Sequence, residues 1–575
     1  MATVANSRGT THPSTVGILF VHGIGEQRQG ETLVRFGEPL FEWLRAWINQ
    51  AFIDRSDDHL VELTRAFVLP PSSPEPSHAD VAVRIPSNDG RLLNLVIAES
   101  WWATVFAPAA FRDVAPWGIA FLPRAASRIW QRLSLTFYEI VRPFRRMGVA
   151  QYLVTVFAIP WLLPVAITLF VAETVVLLVA LLLGWLTIAA LILLSGIPSF
   201  RPLVTWAQLA IANSAGDAYV LMHNPLNFEA MVGRVRADLE WLETRAERVV
   251  VVGHSQGSVV AYAALLNHRS LQLAAFVTVG SALNLLEHGH GSRLSRRERI
   301  STFLDNHPTL GWTNFWTASD PVAAGPLLDE SAARLHESRV DNRASVVRDH
   351  STYADNAEQF VAPLACLLTA TAGLDLTDLT PRDASTLEQA RQRRTQRVQL
   401  LGNVRLSAIG VALFAGLILA GLAGPTPLDL IAPVRSLAAA VGSWLRVPSA
   451  ISLVVIPFLI AVAIVGAYYR VLVGIWSRWD KAAIGSMNAR RSGDRHTRSK
   501  LAFQLPSLIL PLVNPSLLIL AGAPGALDDF TRWGSMVVYA TFFSLCSVVL
   551  TFLPFPPMEA VGSLIRRFSF SSRSE

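Results

Sequence analysis

The chain has 575 residues, of which 51% are hydrophobic and 16% charged, and its mean hydropathy is +0.38. Disorder requires the opposite balance and soluble domains carry roughly 25% charged residues, so a disordered chain is excluded and a wholly water-soluble one is not expected. The 49 Lys and Arg exceed the 43 Asp and Glu by a net +6, but these cations flank apolar runs, which argues for a membrane and against nucleic acid.

In chain order, the first residues are polar and lack an apolar core with a cleavage site, so no secretory signal is expected. Val16 to Val21 is a short apolar run closed by His22-Gly23, the pattern of a buried parallel strand, and a helical period follows through Leu33, Phe36, Leu40, Leu44 and Ile48. Val81 to Ile85 and Leu92 to Ala98, separated by Ser87-Asn88-Asp89-Gly90, predict a hairpin. Residues 103–150 mix Trp117, Phe121 and Trp130 with Arg112, Arg124 and Arg128, as helices lying in a membrane interface do.

Residues 151–197 are nearly unbroken hydrocarbon, about twice what one helix needs to cross a bilayer. They predict a transmembrane hairpin with its turn near Glu173, a reading preferred over an intramembrane proton relay at that acid. Residues 404–557 hold further apolar runs at Val404 to Gly424, Ile451 to Ile475, Leu505 to Ala523 and Ser535 to Phe555. The third of these is interrupted by Pro506, Pro511 and Asn514-Pro515, so a re-entrant loop stands beside a span there. The count is about six crossings. Arginines at 142, 145, 146, 201, 391, 393, 394, 397 and 405, with the basic loop from Arg478 to Lys500, put the polar residues on the cytoplasmic side of an inner or plasma membrane.

Residues 15–102 and 215–374 remain polar enough to fold in water. In the second stretch, helical and strand patterns alternate: a helix over about Pro225 to Ala246, a strand Arg248 to Val252, a helix from Ser258 to Leu266, and strands Ala274 to Val279 and Thr313 to Thr317. Together the two halves predict an α/β domain with a mostly parallel sheet flanked by helices. Residues 375–403 read as a basic juxtamembrane linker helix, with Asp378 or Thr380 as candidate caps.

Gly253-His254-Ser255-Gln256-Gly257 fits G-x-S-x-G, a pattern too short to mean much alone. Here it follows four valines and opens an apolar helix, the strand, sharp turn and helix in which a serine is pushed outward as a nucleophile. On these residues the chain resembles the α/β-hydrolase superfamily, and within it the lipases and lipid esterases. The resemblance covers the two polar halves and does not reach the C-terminal runs. It implies an acid and then a histidine after the serine in chain order, with Ser255 as nucleophile and Gly253 and Gly257 as its small neighbours. His350, in Asp349-His350-Ser351-Thr352-Tyr353, is the expected base, ahead of His336. Asp320, just past the strand ending near Thr317, is the expected acid, ahead of Asp341 and Asp349.

The resemblance also implies an oxyanion hole built from the backbone N–H of Gln256 and of Ile24, in the turn Val21-His22-Gly23-Ile24. There Gly23 permits the bend and His22 orients the loop. The excursion into lipid departs after Leu92 to Ala98, from the carboxyl edge of the sheet where chemistry in open α/β folds occurs. That places the site's mouth at the headgroups and favours a lipid ester substrate, cleaved through an acyl-enzyme. No cofactor is implied. No metal is either: two cysteines, Cys366 and Cys546, and no His-Glu-x-x-His helix offer no ligand set. The reading of a different class is a transporter, channel or scaffold whose hydrolase-like domain only binds lipid or a partner.

Overall fold

In a computed structural model of the chain, the structure describes residues 14–23, 28–52, 60–70, 72–86, 92–103, 109–146, 162–286, 295–323, 325–328, 332, 334–342, 348–395 and 398, with a few positions between 436 and 444. The apolar runs expected to span at 404–557 lie outside the described residues, as does Ile24. Contacts divide the chain into two units, residues 1–132, 177–343 and 347–395 in one and residues 133–176, 344–346 and 396–575 in the other.

The first unit is built on one sheet of eight strands: β1 (Ser14–Val21), β2 (Val61–Phe67), β3 (Ser77–Arg84), β4 (Leu92–Ser100), β5 (Arg248–His254), β6 (Leu273–Val279), β7 (Gly311–Trp316) and β8 (Leu335–Arg339). Their order is β2-β3-β4-β1-β5-β6-β7-β8. Only β2 and β3 run antiparallel to their neighbours; every pairing from β4 to β8 is parallel. The expected fold class, a mostly parallel sheet flanked by helices, is present.

Successive side chains on a strand face opposite ways, and the continuous apolar runs of β1 and β5 therefore fill two cores. Leu19, Val21, Val96, Ala98, Val249 and Val251 share one buried cluster with Met231 and Leu239, Val260, and Phe303. Those partners lie on three helices, the last of the excursion and two after it, named below. On the other face Phe20 stacks on Phe36 at 5.5 Å, and Phe36 meets Phe360 edge-on at 6.0 Å. There α1 (Glu38–Ala51) is anchored by Trp47, whose indole N–H donates to the Leu376 carbonyl at 3.1 Å.

After β1 the chain crosses to the far edge at β2 and returns through β3 to β4 on one side of β1, and after its excursion it builds outward on the other side through β5 to β8. The carboxyl end of β1 is thus the point where the winding reverses, where open α/β sheets leave a crevice. Val21, Ser100 and Gly253 are in register there, so the turns after β1, β4 and β5 leave the sheet at one level.

The excursion between β4 and β5 carries α2 (Phe111–Arg146), α3 (Leu162–Leu194), α4 (Arg201–His223) and α5 (Pro225–Glu243). The expected turn near Glu173 is absent, because α3 runs as one helix through that residue. No Gly or Pro stands between Val165 and Leu183 to break it, and the Thr174 hydroxyl donates back to the Phe170 carbonyl at 2.8 Å. Its 33 residues are about 50 Å of helix. Within the first unit, the Trp185 indole N–H donates to the Ile119 carbonyl at 3.2 Å, tying α3 to α2.

Residues 177–194 of α3 have a mean hydropathy of 2.8 and are 6% buried. Among the described residues this is one helix long and apolar enough to cross a membrane. The described part of the second unit is the end of α2, the start of α3, residue 398 and the few positions between 436 and 444.

Three further helices are α6 (Gly257–Leu266) and α7 (Arg296–Asn306), which join the cluster of Leu19 and Val251, and α8 (Ala362–Thr371), which packs with α1. The expected linker helix occupies 383–395, opened by Thr380, whose N–H and hydroxyl both donate to the Asp383 carboxylate. It is packed on the first unit, and Arg394, expected among the cations at a membrane flank, is instead 1% exposed.

Leu239, fully buried under α5, tests this packing. Leu239→Ala should destabilise the domain by about 2–5 kcal/mol, read as a lowered thermal midpoint, and an unchanged midpoint would contradict the placement of α5 on the sheet.

Candidate active site

The turn after β5 places Ser255 at φ 57, in the left-handed region that non-glycine residues rarely adopt. Its backbone is fully engaged. The Ser255 N–H donates to the Val279 carbonyl at 2.9 Å, and the Ser255 carbonyl accepts from Ser258 and Ala282 at 3.1 Å each. Gly253 is the penultimate residue of the strand before it and Gly257 starts α6 after it. A Cβ on Gly257 would lie 2.2 Å from the His22 carbonyl oxygen, so the turn after β1 sits directly on the elbow. Gly23, in that turn, lies against the Ser255 side chain.

His350 arrives from a short helical turn, Asp349–Ser351. The Ser255 hydroxyl donates to His350 Nε2 at 2.8 Å. On its other side the ring donates from Nδ1 to the two Asp320 oxygens, at 3.1 and 3.0 Å. Asp320 stands in the turn after β7, 2% exposed. Its carboxylate accepts from the Val322 N–H at 2.8 Å, the Ala323 N–H at 3.2 Å and the Tyr353 hydroxyl at 2.9 Å. Burial works against its charge, but the His350 ring and these donors outweigh it and hold the carboxyl below the ordinary range. Tyr353 is driven the other way, first by burial and then by the Asp320 charge, so its hydroxyl stays protonated and donates.

The alternatives fall elsewhere. Asp349 is buried and accepts from the Thr317 hydroxyl at 3.0 Å, Asp341 accepts from the Thr395 hydroxyl at 2.7 Å, and His336 lies exposed on β8. Ser255, His350 and Asp320 are brought together as the sequence reading expected.

Two more imidazoles border the serine. His22 donates from Nδ1 to the Gly23 carbonyl at 2.7 Å and accepts the Trp102 backbone N–H at Nε2, 3.1 Å away. Its ring stacks on the Trp102 indole at 4.3 Å. His254 donates from Nε2 to the His350 carbonyl at 3.1 Å and stacks beneath the His350 ring at 5.0 Å. Burial lowers the pKa of His22 to about 4 and that of His254 to about 3.

Gln256 is fully buried, with its side-chain amide donating to the Asp217 carbonyl of α4 at 2.9 Å. Its backbone N–H has no acceptor among the described residues, which leaves it available to an oxyanion. The loop after β1 is tied back by Glu99, buried at the end of β4, which accepts from the N–H of Gly30 at 2.6 Å and of Thr32 at 3.3 Å. Burial raises the Glu99 pKa against the pull of those donors.

Sequence reasoning missed Tyr353 and Gly280 as supports of the acid. Gly280 has φ 53, and a Cβ there would be 2.8 Å from Asp320 Oδ2. A glycine directly after a strand opposite the acid turn is a faint signal that could have found it. Among the described residues no group of three or more His, Cys, Asp or Glu side chains is arranged to hold a metal ion. No protein-family model, curated protein or solved structure matches the chain significantly.

Two outcomes follow from this geometry. Gly257→Ala should abolish the folded elbow, since both nearest atoms are backbone; a well-folded variant by circular dichroism and thermal melting would contradict the contact with the turn after β1. The second is a pH dependence. An unfolded histidine takes up its proton near 6.5, whereas His22 and His254 resist until about 4 and 3, so the unfolded state binds more protons in between. Their share of stability is whole above 6.5 and is lost as pH falls toward 4 and 3. Urea unfolding followed from pH 7 to pH 4 should show declining stability, and a flat profile would refute the neutral assignment.

Proposed function

We propose that the chain is a membrane-embedded serine hydrolase of the α/β-hydrolase type that cleaves carboxylic ester bonds of lipids. The observation that carries the reading is the continuous hydrogen-bonded line from the Ser255 hydroxyl through both nitrogens of His350 to Asp320. A hydroxyl facing a neutral imidazole, with a buried carboxylate fixing the tautomer, has the arrangement that nucleophilic acyl transfer requires.

The steps balance as follows. His350 Nε2 takes the Ser255 proton as Oγ attacks the ester carbonyl carbon. The carbonyl oxygen becomes an oxyanion, stabilised by the Gln256 N–H and, by the resemblance to lipases, by Ile24. The intermediate collapses, the alcohol leaves with the proton from His350, and the acyl group remains on Ser255. Water then loses a proton to His350 and attacks the acyl carbon. The fatty acid departs and the serine is regenerated. Asp320 stays ionised throughout and stabilises the imidazolium that forms twice.

Support for a lipid substrate comes from the excursion at the carboxyl edge. Its α3 is apolar and mostly uncovered over residues 177–194, and α4 exposes Leu203, Trp206 and Leu209 at helical spacing. On α2, Ile119, Ile129 and Trp130 are exposed beside Arg112 and Arg124. Such a surface is costly in water and at home in a bilayer and its headgroups. We assign the chain to a cell inner or plasma membrane, with the domain on the cytoplasmic side and the apolar runs at 404–557 as further spans.

The protein purified in detergent should be labelled at Ser255 by a fluorophosphonate. Ser255→Ala and His350→Ala should each lose roughly 10⁴- to 10⁶-fold in turnover. In cells, membranes carrying the wild type and not Ser255→Ala should accumulate free fatty acid and the deacylated lipid. Absence of labelling in the wild type, or properties unchanged by Ser255→Ala, would overturn the enzyme in favour of a scaffold or transporter.

A further inference from the structure

We infer that Arg394 is a positioning residue for His350: from the helix at 383–395 it fixes the peptide that carries the base. The inference rests on the hydrolase reading of Ser255, His350 and Asp320.

Arg394 is 1% exposed, although it stands in a run of arginines whose neighbours Arg391 and Arg393 face solvent. Its guanidinium is used as a fork. Nε donates to the Asp341 carbonyl at 2.9 Å and Nη2 to the Asn342 carbonyl at 2.6 Å, while Nη1 lies 3.7 Å from Glu358 Oε2. Two successive carbonyls gripped by one planar cation set both the position and the tilt of that short segment.

What the fork holds is the support of His350. Asn342 is fully buried, and its side-chain amide donates to the Asp349 carbonyl at 2.9 Å. The Asn342 side-chain oxygen accepts from Asn356 at 2.9 Å, and Asn356 also donates to the Asp341 carbonyl at 3.2 Å. The Asp349 carbonyl belongs to the peptide unit whose N–H is that of His350. The carbonyl on the other side, of His350 itself, accepts from His254. The backbone on both sides of the imidazole is therefore pinned, one side from the elbow and the other from Asn342 and, behind it, Arg394.

The remaining bonds close the same unit onto the helix. Gln359 accepts the Asp341 N–H at 2.6 Å and donates to the Arg391 carbonyl and the Thr395 hydroxyl at 3.1 and 2.9 Å. The Thr395 hydroxyl donates to the Asp341 carboxylate. A buried guanidinium is an expensive way to fill a core. Its return is orientation: the imidazole must meet a hydroxyl and a carboxylate at once, and misplacing such a group by about 1 Å costs on the order of 100-fold in rate.

The test uses the full-length protein in detergent, with a fluorophosphonate to count active serines and a short-chain p-nitrophenyl ester as soluble substrate. Arg394→Met should lower kcat per labelled serine on the order of 10- to 100-fold with KM changed less than two-fold. Arg394→Lys, with one ammonium for two carbonyls, should recover part of that loss. Arg393→Met, one residue away and exposed, should leave both constants at the wild-type value. A merely structural arginine would change the yield and the thermal midpoint but not kcat per labelled serine well below that midpoint. Wild-type kcat in folded Arg394→Met overturns the inference alone. Should Arg394→Met not accumulate, Arg394→Lys decides by the same measure, a several-fold loss of kcat supporting the inference and none overturning it. A wild type that neither labels nor hydrolyses sinks the hydrolase reading and this inference with it.

Discussion

Everything at the centre of this protein depends on one residue held where its backbone would not otherwise stay. A left-handed conformation costs an L-residue roughly 1–2 kcal/mol, and Ser255 adopts it at φ 57. The strain persists because the N–H and carbonyl of Ser255 are both spent on the surrounding turns and because Gly257 lets the His22 carbonyl press against the base of α6. The same contact fixes where the turn after β1 can run. Ser255 is therefore lifted out of the sheet edge at the point where the winding reverses, and the residues that surround it come from both halves of a split domain.

Three imidazoles lie around that serine, and burial separates their work. His22 and His254 are pushed down to about 4 and 3, so both are neutral near pH 7 and act as oriented hydrogen-bond spacers. A charged His22 would lose its acceptor for the Trp102 N–H, and with it one tether between β4 and the turn after β1. His254 lends its one N–H to the His350 backbone and its face to the His350 ring. His350 is the imidazole in contact with both the Ser255 hydroxyl and the buried Asp320 carboxylate.

The parts legible in the sequence were those in which local pattern and final environment coincide. β1, β5 and β6 are buried on both faces, so each appears as a plain apolar run, while Asp320 and His350 could be named as partners of Ser255 only through the order that the resemblance at the elbow implies. β2 and β8 were not legible. β2 is an edge strand exposed along most of its length, and β8 reads Leu-His-Glu-Ser-Arg, so neither has the alternation that one buried face would impose. The turn expected at Glu173 failed for the opposite reason: one acid in hydrocarbon looks like a boundary, yet glutamate is a good helix former and nothing nearby breaks α3. Tyr353 and Arg394 were hidden because their roles exist only through distant partners. Arg394 in particular is one of several arginines in a run, and only packing separates the buried one from its exposed neighbours.

The excursion from the sheet is more than an attachment. It leaves after Ser100, level with Val21 and Gly253, and it returns through α4 to hand the Asp217 carbonyl to the side chain of Gln256. Along α4, Ala218, Val220 and Leu221 are buried in the cluster that contains Trp102 and Val259, while Leu203, Trp206 and Leu209 remain exposed. One rigid helix therefore has its carboxyl-terminal half set into the core beside the elbow and its amino-terminal half presented as bare apolar surface. Between that surface and the Asp217 carbonyl that holds Gln256 lie about 8 to 14 residues of α4, roughly 12 to 21 Å of helix. On the membrane placement proposed above, the helix that holds the Gln256 side chain would have its other half in the bilayer, which would couple the residue beside Ser255 to that environment.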